Sequence, residues 1–167
     1  LHVYVRVDVK EKHDAYAVRS AAVAFARELE RRCPALVTAS WWKEERGKRV
    51  FIDFNQNAPH KTVFAAWCVR ATANAQVSTP FSWSELATIA IEECTIATVP
   101  QRVVDNGDPW ATIDDAPQSI APLLALHERD KKNGLLDAPW PPVYPKQPGE
   151  PPRVQPSRAK KKPTPPA

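Results

Sequence analysis

Alternation opens the chain. Leu1, Val3, Val5 and Val7 fall on one side of an extended backbone, with His2, Tyr4 and Arg6 on the other. This pattern predicts a half-buried strand over residues 1–7. The period then changes. Asp14 fits a helix N-cap, and Val18, Ala22, Phe25, Leu29 and Cys33 recur at helical spacing up to Pro34, so an amphipathic helix is expected. Its other side, with Arg19, Glu30 and Arg31, reads as a solvated charged face. Residues 37–43 and 48–54 read as two strands joined by a turn at Glu45-Arg46-Gly47-Lys48. Residues 62–70 predict another strand, with Phe64, Ala66, Cys68 and Arg70 on one face. Ser82-Trp83-Ser84-Glu85 fits a capping box that opens a short helix, with Leu86 and Ile89 inward. Residues 95–99 suggest a last short strand, and Pro100 opens a helical turn through Val104. Residues 117–131 predict a helix with Ile120, Leu123, Leu124 and His127 on one side and Gly134 beyond its end.

This order of elements gives an α+β fold, with helices packed on a mostly antiparallel sheet. Composition divides the chain into a body, residues 1–137, and a Pro-rich basic tail, residues 138–167. The tail holds eleven of the eighteen prolines, six Lys or Arg residues and one acid. It is expected to be extended and mostly disordered, with Trp140 and Tyr144 docking to pin its first few residues. The tail carries +5 of a whole-chain charge of +4, which leaves the body near −1. Net charge therefore does not mark the body as a nucleic-acid binder.

Three widely spaced cysteines without a C-x-x-C pair argue against a disulfide framework and a zinc knuckle, and fit a reducing cytoplasm. No apolar run reaches membrane-spanning length. The chain begins at Leu1 in a strand-like segment and contains no Met. The expectation is the C-terminal part of something longer, although an unusual start codon would look the same.

The sharpest chemical signal is Asp53, set in the run Arg49-Val50-Phe51-Ile52-Asp53-Phe54-Asn55-Gln56-Asn57. A carboxylate within an apolar strand is costly to bury without a cation. It reads either as one acidic ligand delivered by a rigid strand, or as an edge-strand Asp in water or in an ion pair. Strand pairing is expected to gather His2, Asp53, Gln56 and Arg70. An Asp can bind Mg²⁺ or Mn²⁺ through oxygen. An Arg can clamp a phosphate or pair with a carboxylate. A His can donate to a phosphate oxygen or serve only as a core or surface residue. Together they suggest part of a site for a nucleoside triphosphate and a metal. The chain has no Asp-x-Asp pair on a strand, no Walker-type phosphate loop and no G-x-G-x-x-G. Cys68, beside Trp67, reads as core.

These residues and their order resemble a known family. Leu1-His2-Val3-Tyr4-Val5 is similar to the end of the S-G-x-x-G-L-H-x-x-V motif of archaeo-eukaryotic-primase-type polymerases. The segments at 50–57, Lys61-Thr62, Cys68-Val69-Arg70-Ala71 and 77–86 follow the pattern of the polymerase domain of bacterial DNA ligase D. The ending at 144–158 resembles stand-alone relatives of that domain. The resemblance implies a primase-polymerase-like nucleotidyltransferase of non-homologous end joining, adding nucleotides with ribonucleotides preferred. It acts on DNA ends alongside Ku and a DNA ligase, in the bacterial cytoplasm and close to the nucleoid. Asp53 matches the third metal-binding carboxylate, for Mn²⁺ or Mg²⁺. His2 matches the motif histidine near the triphosphate. Gln56 and Arg70 match positions near the incoming nucleotide and its phosphates, and Lys61 is a weaker match in a variable loop. The family's Asp-x-Asp pair and its Ser and Gly residues before the histidine have no counterpart here. The same is true of its base-stacking aromatics and its lysines for a DNA 5′-phosphate. The resemblance therefore implies a polymerase as the parent protein and a truncated, non-catalytic fragment as this chain. The alternative is a non-catalytic DNA- or partner-binding module using Arg153, Arg158 and Lys160-Lys161-Lys162 on phosphates; a solvated basic terminus is equally consistent with that run.

Overall fold

The structure is a computed structural model, and it describes residues 1–59, 61–63 and 65–153. Phe64, assigned above to a strand face, and the basic run at 158–162 lie outside the described residues. The regular elements are α1 (Ala15–Arg32), β1 (Val37–Thr38), α2 (Lys43–Arg46), β2 (Val50–Phe51), α3 (Val99–Asn106) and α4 (Ala121–Lys132). Two compact units contain them: Leu1–Lys10 with Thr62–Gln118, and Glu11–Lys61 with Ser119–Ala167.

In the second unit, α1 starts where the sequence predicts. The Asp14 carboxylate accepts from the Ala17 amide at 2.8 Å, closing one of the free N–H groups of the first turn. The helix ends at Arg32, before Pro34. Its buried face is not the predicted stripe. Ala21, Val23, Ala24 and Ala26 are buried, Phe25 is 46% exposed, Cys33 is exposed, and Arg19 is 1% exposed. The small alanines allow neighbours to approach closely: α1 packs against α4, β1 and the 3-10 helix Phe54–Asn57. Val23, Ala26, Phe54 and Ala138 form the core, with Trp41, Phe51 and Ile52 packed on it.

β1 and β2 pair in parallel, Val37 opposite Val50 and Thr38 opposite Phe51. The expected hairpin is absent because the intervening residues form α2. Lys43-Glu44-Glu45-Arg46 favours a helical turn, with its acids in the first turn, and Gly47 ends it at φ +59°. The Arg46 guanidinium then stacks over Phe51, 3.7 Å from the ring centroid, and donates to the carbonyls of Ser40 and Trp41. These contacts close the crossover.

A mostly antiparallel sheet is likewise not found; the described residues hold a mixed helix and strand fold with one sheet of two parallel strands. Antiparallel pairing survives only as isolated bridges, Val69 with Val77 and Gln76 with Thr95. The strand expected over residues 62–70 is interrupted at Trp67, whose φ of +62° an extended strand cannot accommodate. The strand expected over residues 1–7 reduces to a bridge between Val7 and Gln118. Leu1 remains 85% exposed, since among the described residues no neighbouring strand takes up its backbone or covers its apolar face.

The first unit is held by caps and short-range pairs. Ser82 and Glu85 form the expected capping box at the 3-10 helix Trp83–Glu85, and Glu85 pairs with Arg102 on α3. Leu86 points outward, not inward as predicted, and is 47% exposed. Pro100 lies in the first turn of α3, and Gly107 ends that helix. Arg6 pairs with Asp114 at 2.8 Å.

Residues 138–150, read from composition as largely disordered, pack onto the second unit. Ala138, Trp140, Tyr144 and Glu150 are buried. Trp140 and Tyr144 do dock as anticipated, stacked with centroids 4.7 Å apart.

Candidate functional site

Two groups of candidate residues are found, one in each unit. In the first unit, a cleft of about 650 Å³ is lined by His2, Tyr4, Arg70, Gln76, Trp83 and Trp110, among others. Tyr4 meets Trp110 edge-on at 4.7 Å, and His2 meets Tyr4 edge-on at 6.2 Å. Arg70 is fixed through its backbone, whose N–H donates to the Gln76 carbonyl. The cleft combines a guanidinium, an imidazole and aromatic faces, a set that suits a phosphorylated, ring-bearing ligand. Trp83 is 72% exposed at its edge. Sequence reasoning placed Trp83 in the capping box and Tyr4 on a strand, both within motifs that resemble the family, and gave neither a role in a binding cleft. Their aromatic character was the available signal.

In the second unit, Asp53 does not lie inside a strand. β2 ends at Phe51, and Asp53 caps the 3-10 helix Phe54–Asn57. One carboxylate oxygen accepts from the Asn55 amide at 3.1 Å and the other from the Gln56 side-chain amide at 2.7 Å. The carboxylate is exposed, so its charge is hydrated and needs no cation for stability. Gln56 thus orients Asp53, while Lys61 is exposed on the residues that follow. Strand pairing does not gather His2, Asp53, Gln56 and Arg70. His2 and Arg70 belong to one unit, and Asp53, Gln56 and Lys61 to the other.

Asp53 offers hard oxygen donors of the kind Mg²⁺ and Mn²⁺ take. Among the described residues no three His, Cys, Asp or Glu side chains converge. Asp53 therefore fits as one ligand of such an ion, and the chain's described carboxylates do not complete a centre.

The turn that carries Asp53 rests on a buried polar network that the sequence reading missed. Asn55 is buried, accepts from Arg19 Nε at 3.0 Å and donates to the Pro139 carbonyl at 2.8 Å. Arg19 also donates to Asp137 at 3.1 Å and to the carbonyls of Ala138 and Pro139. Its guanidinium lies 3.8 Å from the Trp140 ring centroid. Burial pulls the Arg19 pKa down and Asp137 pulls it up. The signal available in sequence was the position of Arg19 between Ala15 and Val23, one helical turn from each on the apolar side.

Glu150 holds the other end of that segment. It accepts from the backbone amides of Trp140 and Gln147, both at 2.9 Å, and pairs with Arg153. Burial pushes its carboxyl up, but the Arg153 hydrogen bond and the two amides outweigh this and hold it at about 2.

The fold resembles that of a solved DNA-bound polymerase. The polymerase domain of Mycobacterium tuberculosis ligase D, in complex with DNA, superposes with a TM-score of 0.56 at 30% identity, over 63% of this chain and 37% of that one. The family model of the LigD primase-polymerase domain matches residues 1–110, and the chain belongs to that family. The multifunctional non-homologous end joining DNA repair protein LigD of Mycobacterium tuberculosis H37Rv is 31% identical over 146 residues. That alignment takes in 87% of this chain and 19% of the relative. LigD of Mycolicibacterium smegmatis is 31% identical over 147 residues, with the same shares. The chain thus spans about a fifth of the length of these curated relatives. No described helix is long and apolar enough to cross a membrane.

Proposed function

We propose that this chain is part of a metal-dependent nucleotidyltransferase that adds nucleotides to DNA ends in bacterial non-homologous end joining. The observation that carries the reading is the family match over residues 1–110, a span that includes His2, Asp53, Gln56, Lys61 and Arg70 in family order. In this reading Arg70 takes phosphate oxygens of the incoming nucleotide, and its fork suits two oxygens at once. His2 donates to the same triphosphate. The aromatic faces of Tyr4 and Trp110 and the exposed Trp83 give the cleft surfaces on which a base can stack. Asp53, aimed by Gln56, supplies one carboxylate to Mn²⁺ or Mg²⁺, and Lys61 adds positive charge nearby. A bound divalent ion would neutralise charge on the transferring phosphate. The remaining carboxylates come from outside the residues described, so the chain by itself binds metal weakly and does not catalyse. Ribonucleoside triphosphates are the preferred substrates, Ku and a DNA ligase the working partners, and the bacterial cytoplasm at the nucleoid the location.

Replacing Asp53 by Ala in the protein as its gene encodes it tests the reading. Loss of nucleotide addition to a DNA end, with folding retained, supports it. Normal addition by Asp53→Ala removes Asp53 from the metal site.

The single candidate metal carboxylate in this chain favours a second reading for the chain on its own, as a DNA- or partner-binding module. Changing Lys160, Lys161 and Lys162 to Gln tests the tail without disturbing the packed Glu150–Arg153 pair. Salt-dependent DNA binding that stays unchanged excludes a role for these lysines.

A further inference from the structure

We infer that Arg19 and Asn55 are positioning residues for Asp53, and that the C-terminal segment 137–150 acts through them to set the direction of that carboxylate. The inference rests on the reading of Asp53 as a metal-holding group.

The physical argument begins with cost. Arg19 is buried almost completely, and taking a guanidinium out of water is expensive even when it is paired. Apolar residues of similar volume replacing Arg19 together with its partners Asn55 and Asp137 would pack this site as stably or better. Stability alone therefore gives no reason to keep a charge there, whereas directional bonding does. The guanidinium has donors fixed in one plane. Here Nε is aimed at Asn55 Oδ1, Nη1 at Asp137 and Nη2 at the carbonyls of Ala138 and Pro139.

The bonds converge on one short turn. The Asn55 side chain is fixed on one side by Arg19 and on the other by the Pro139 carbonyl. The Asn55 backbone N–H, two bonds from that side chain, holds the Asp53 carboxylate. Phe54, between them, is 2% exposed and wedged into the core beside Val23 and Ala26. Without the Asn55 bonds, Phe54 would still anchor the turn, but its rotation about the chain would be less restricted. Groups that orient a ligand commonly change metal affinity about 10- to 100-fold when removed.

Three variants of the protein as its gene encodes it separate the possibilities: Asn55→Ala, Arg19→Lys and Asp53→Asn. Ile120→Ala serves as a destabilised control, because Ile120 is buried in the same unit but outside the cluster that holds Phe54. Mn²⁺ binding is read directly from the paramagnetic resonance signal of the free ion, and unfolding temperature is followed in parallel. The expected result is a rise of about tenfold in half-saturating Mn²⁺ for Asn55→Ala. Nucleotide addition should recover at saturating ion, because the carboxylate is still present. Arg19→Lys keeps the charge but not the planar fork, and should shift the same quantity in the same direction. It keeps the inference testable if Asn55→Ala does not fold.

Unchanged half-saturation in Asn55→Ala and Arg19→Lys, with binding lost in Asp53→Asn, overturns the positioning role and leaves Asp53 as a ligand. An equal shift in Ile120→Ala also overturns it, since the effect would then follow stability alone. Normal Mn²⁺ binding and nucleotide addition in Asp53→Asn would overturn the underlying reading itself.

Discussion

Arg19 Nε donates to Asn55 Oδ1 at 3.0 Å, tying α1 to a turn 36 residues further along the chain. Both side chains are buried, and between them they support the turn that carries Asp53, the exposed carboxylate proposed above to hold a metal ion. A solvated helix face, as the charge pattern suggested, would leave that turn held by Phe54 and the Asn55 bond to the Pro139 carbonyl, without the tie to α1 through Arg19.

Arg19→Met should be severely destabilising. It removes the guanidinium bonds to Asn55, Asp137 and the carbonyls of Ala138 and Pro139, and loss of one partner of a buried charged network costs about 3–5 kcal/mol. Thermal unfolding should move down by about 10 °C. The double variant Arg19→Met with Asp137→Leu should recover part of the loss, because it leaves no unpaired buried charge. A single-variant cost below about 1 kcal/mol would mean that the network is energetically idle.

Asp53→Asn separates structure from chemistry. Asn and Asp are comparable N-cap residues, so stability should change by less than about 0.5 kcal/mol. An amide is a poor ligand for a hard dication, and nucleotide addition should fall by at least about 100-fold. Calorimetry and a DNA-end extension assay on one preparation check both halves. A drop in stability that matches the loss of activity would refute the separation.

Acid should release the C-terminal segment. The Glu150 carboxyl titrates at about 2 in the fold against 4.5 for the ordinary group, so the folded pKa is depressed. Its contribution is complete above about 4.5 and is lost progressively as the pH falls towards about 2. The difference corresponds to stability on the order of 3 kcal/mol. Glu150→Gln should show the acid behaviour already at pH 7, with faster proteolytic cleavage between residues 138 and 153. Equal acid sensitivity of the native protein and Glu150→Gln would assign the effect to other groups.

Glu85→Ala removes the return bond of the capping box and the partner of Arg102. The expected cost is about 1–2 kcal/mol, chiefly from the cap, because a half-exposed ion pair adds little. Hydrogen exchange at the amides of residues 82–86 should speed up. If exchange there is unaltered, the box does not hold this wall of the cleft.

Local chemistry was legible where the chain needs no distant partner. Asp14 capping α1, the Ser82 and Glu85 box, Pro100 in the first turn of α3 and the docking of Trp140 and Tyr144 follow from side chains acting within a few residues or from a large apolar ring seeking cover. The candidate site was partly legible. Asp53, Gln56, His2 and Arg70 stand out by type and order; that Gln56 holds Asp53 was not anticipated. The hairpin over residues 37–54 failed because a four-residue helical turn, stapled by Arg46 on Phe51, competes with a tight turn and reverses the sense of pairing. Trp67 failed as a strand residue because backbone sign is not encoded in hydrophobic alternation.

The sequence by itself determined the Asp14 cap and the Ser82–Glu85 box, the limits of α1, the apolar content of each segment and the family to which the chain belongs. Those properties depend on neighbours along the chain or on ordered motifs. Tertiary structure alone decided that Arg19 faces inward, that β1 and β2 run parallel, and that a proline-rich segment becomes a packed wall against α1. Each of these depends on a partner many residues away. A guanidinium is as compatible with water as with a ring of carbonyls, and only the arrival of Asn55, Asp137 and Trp140 around it settles which one it meets.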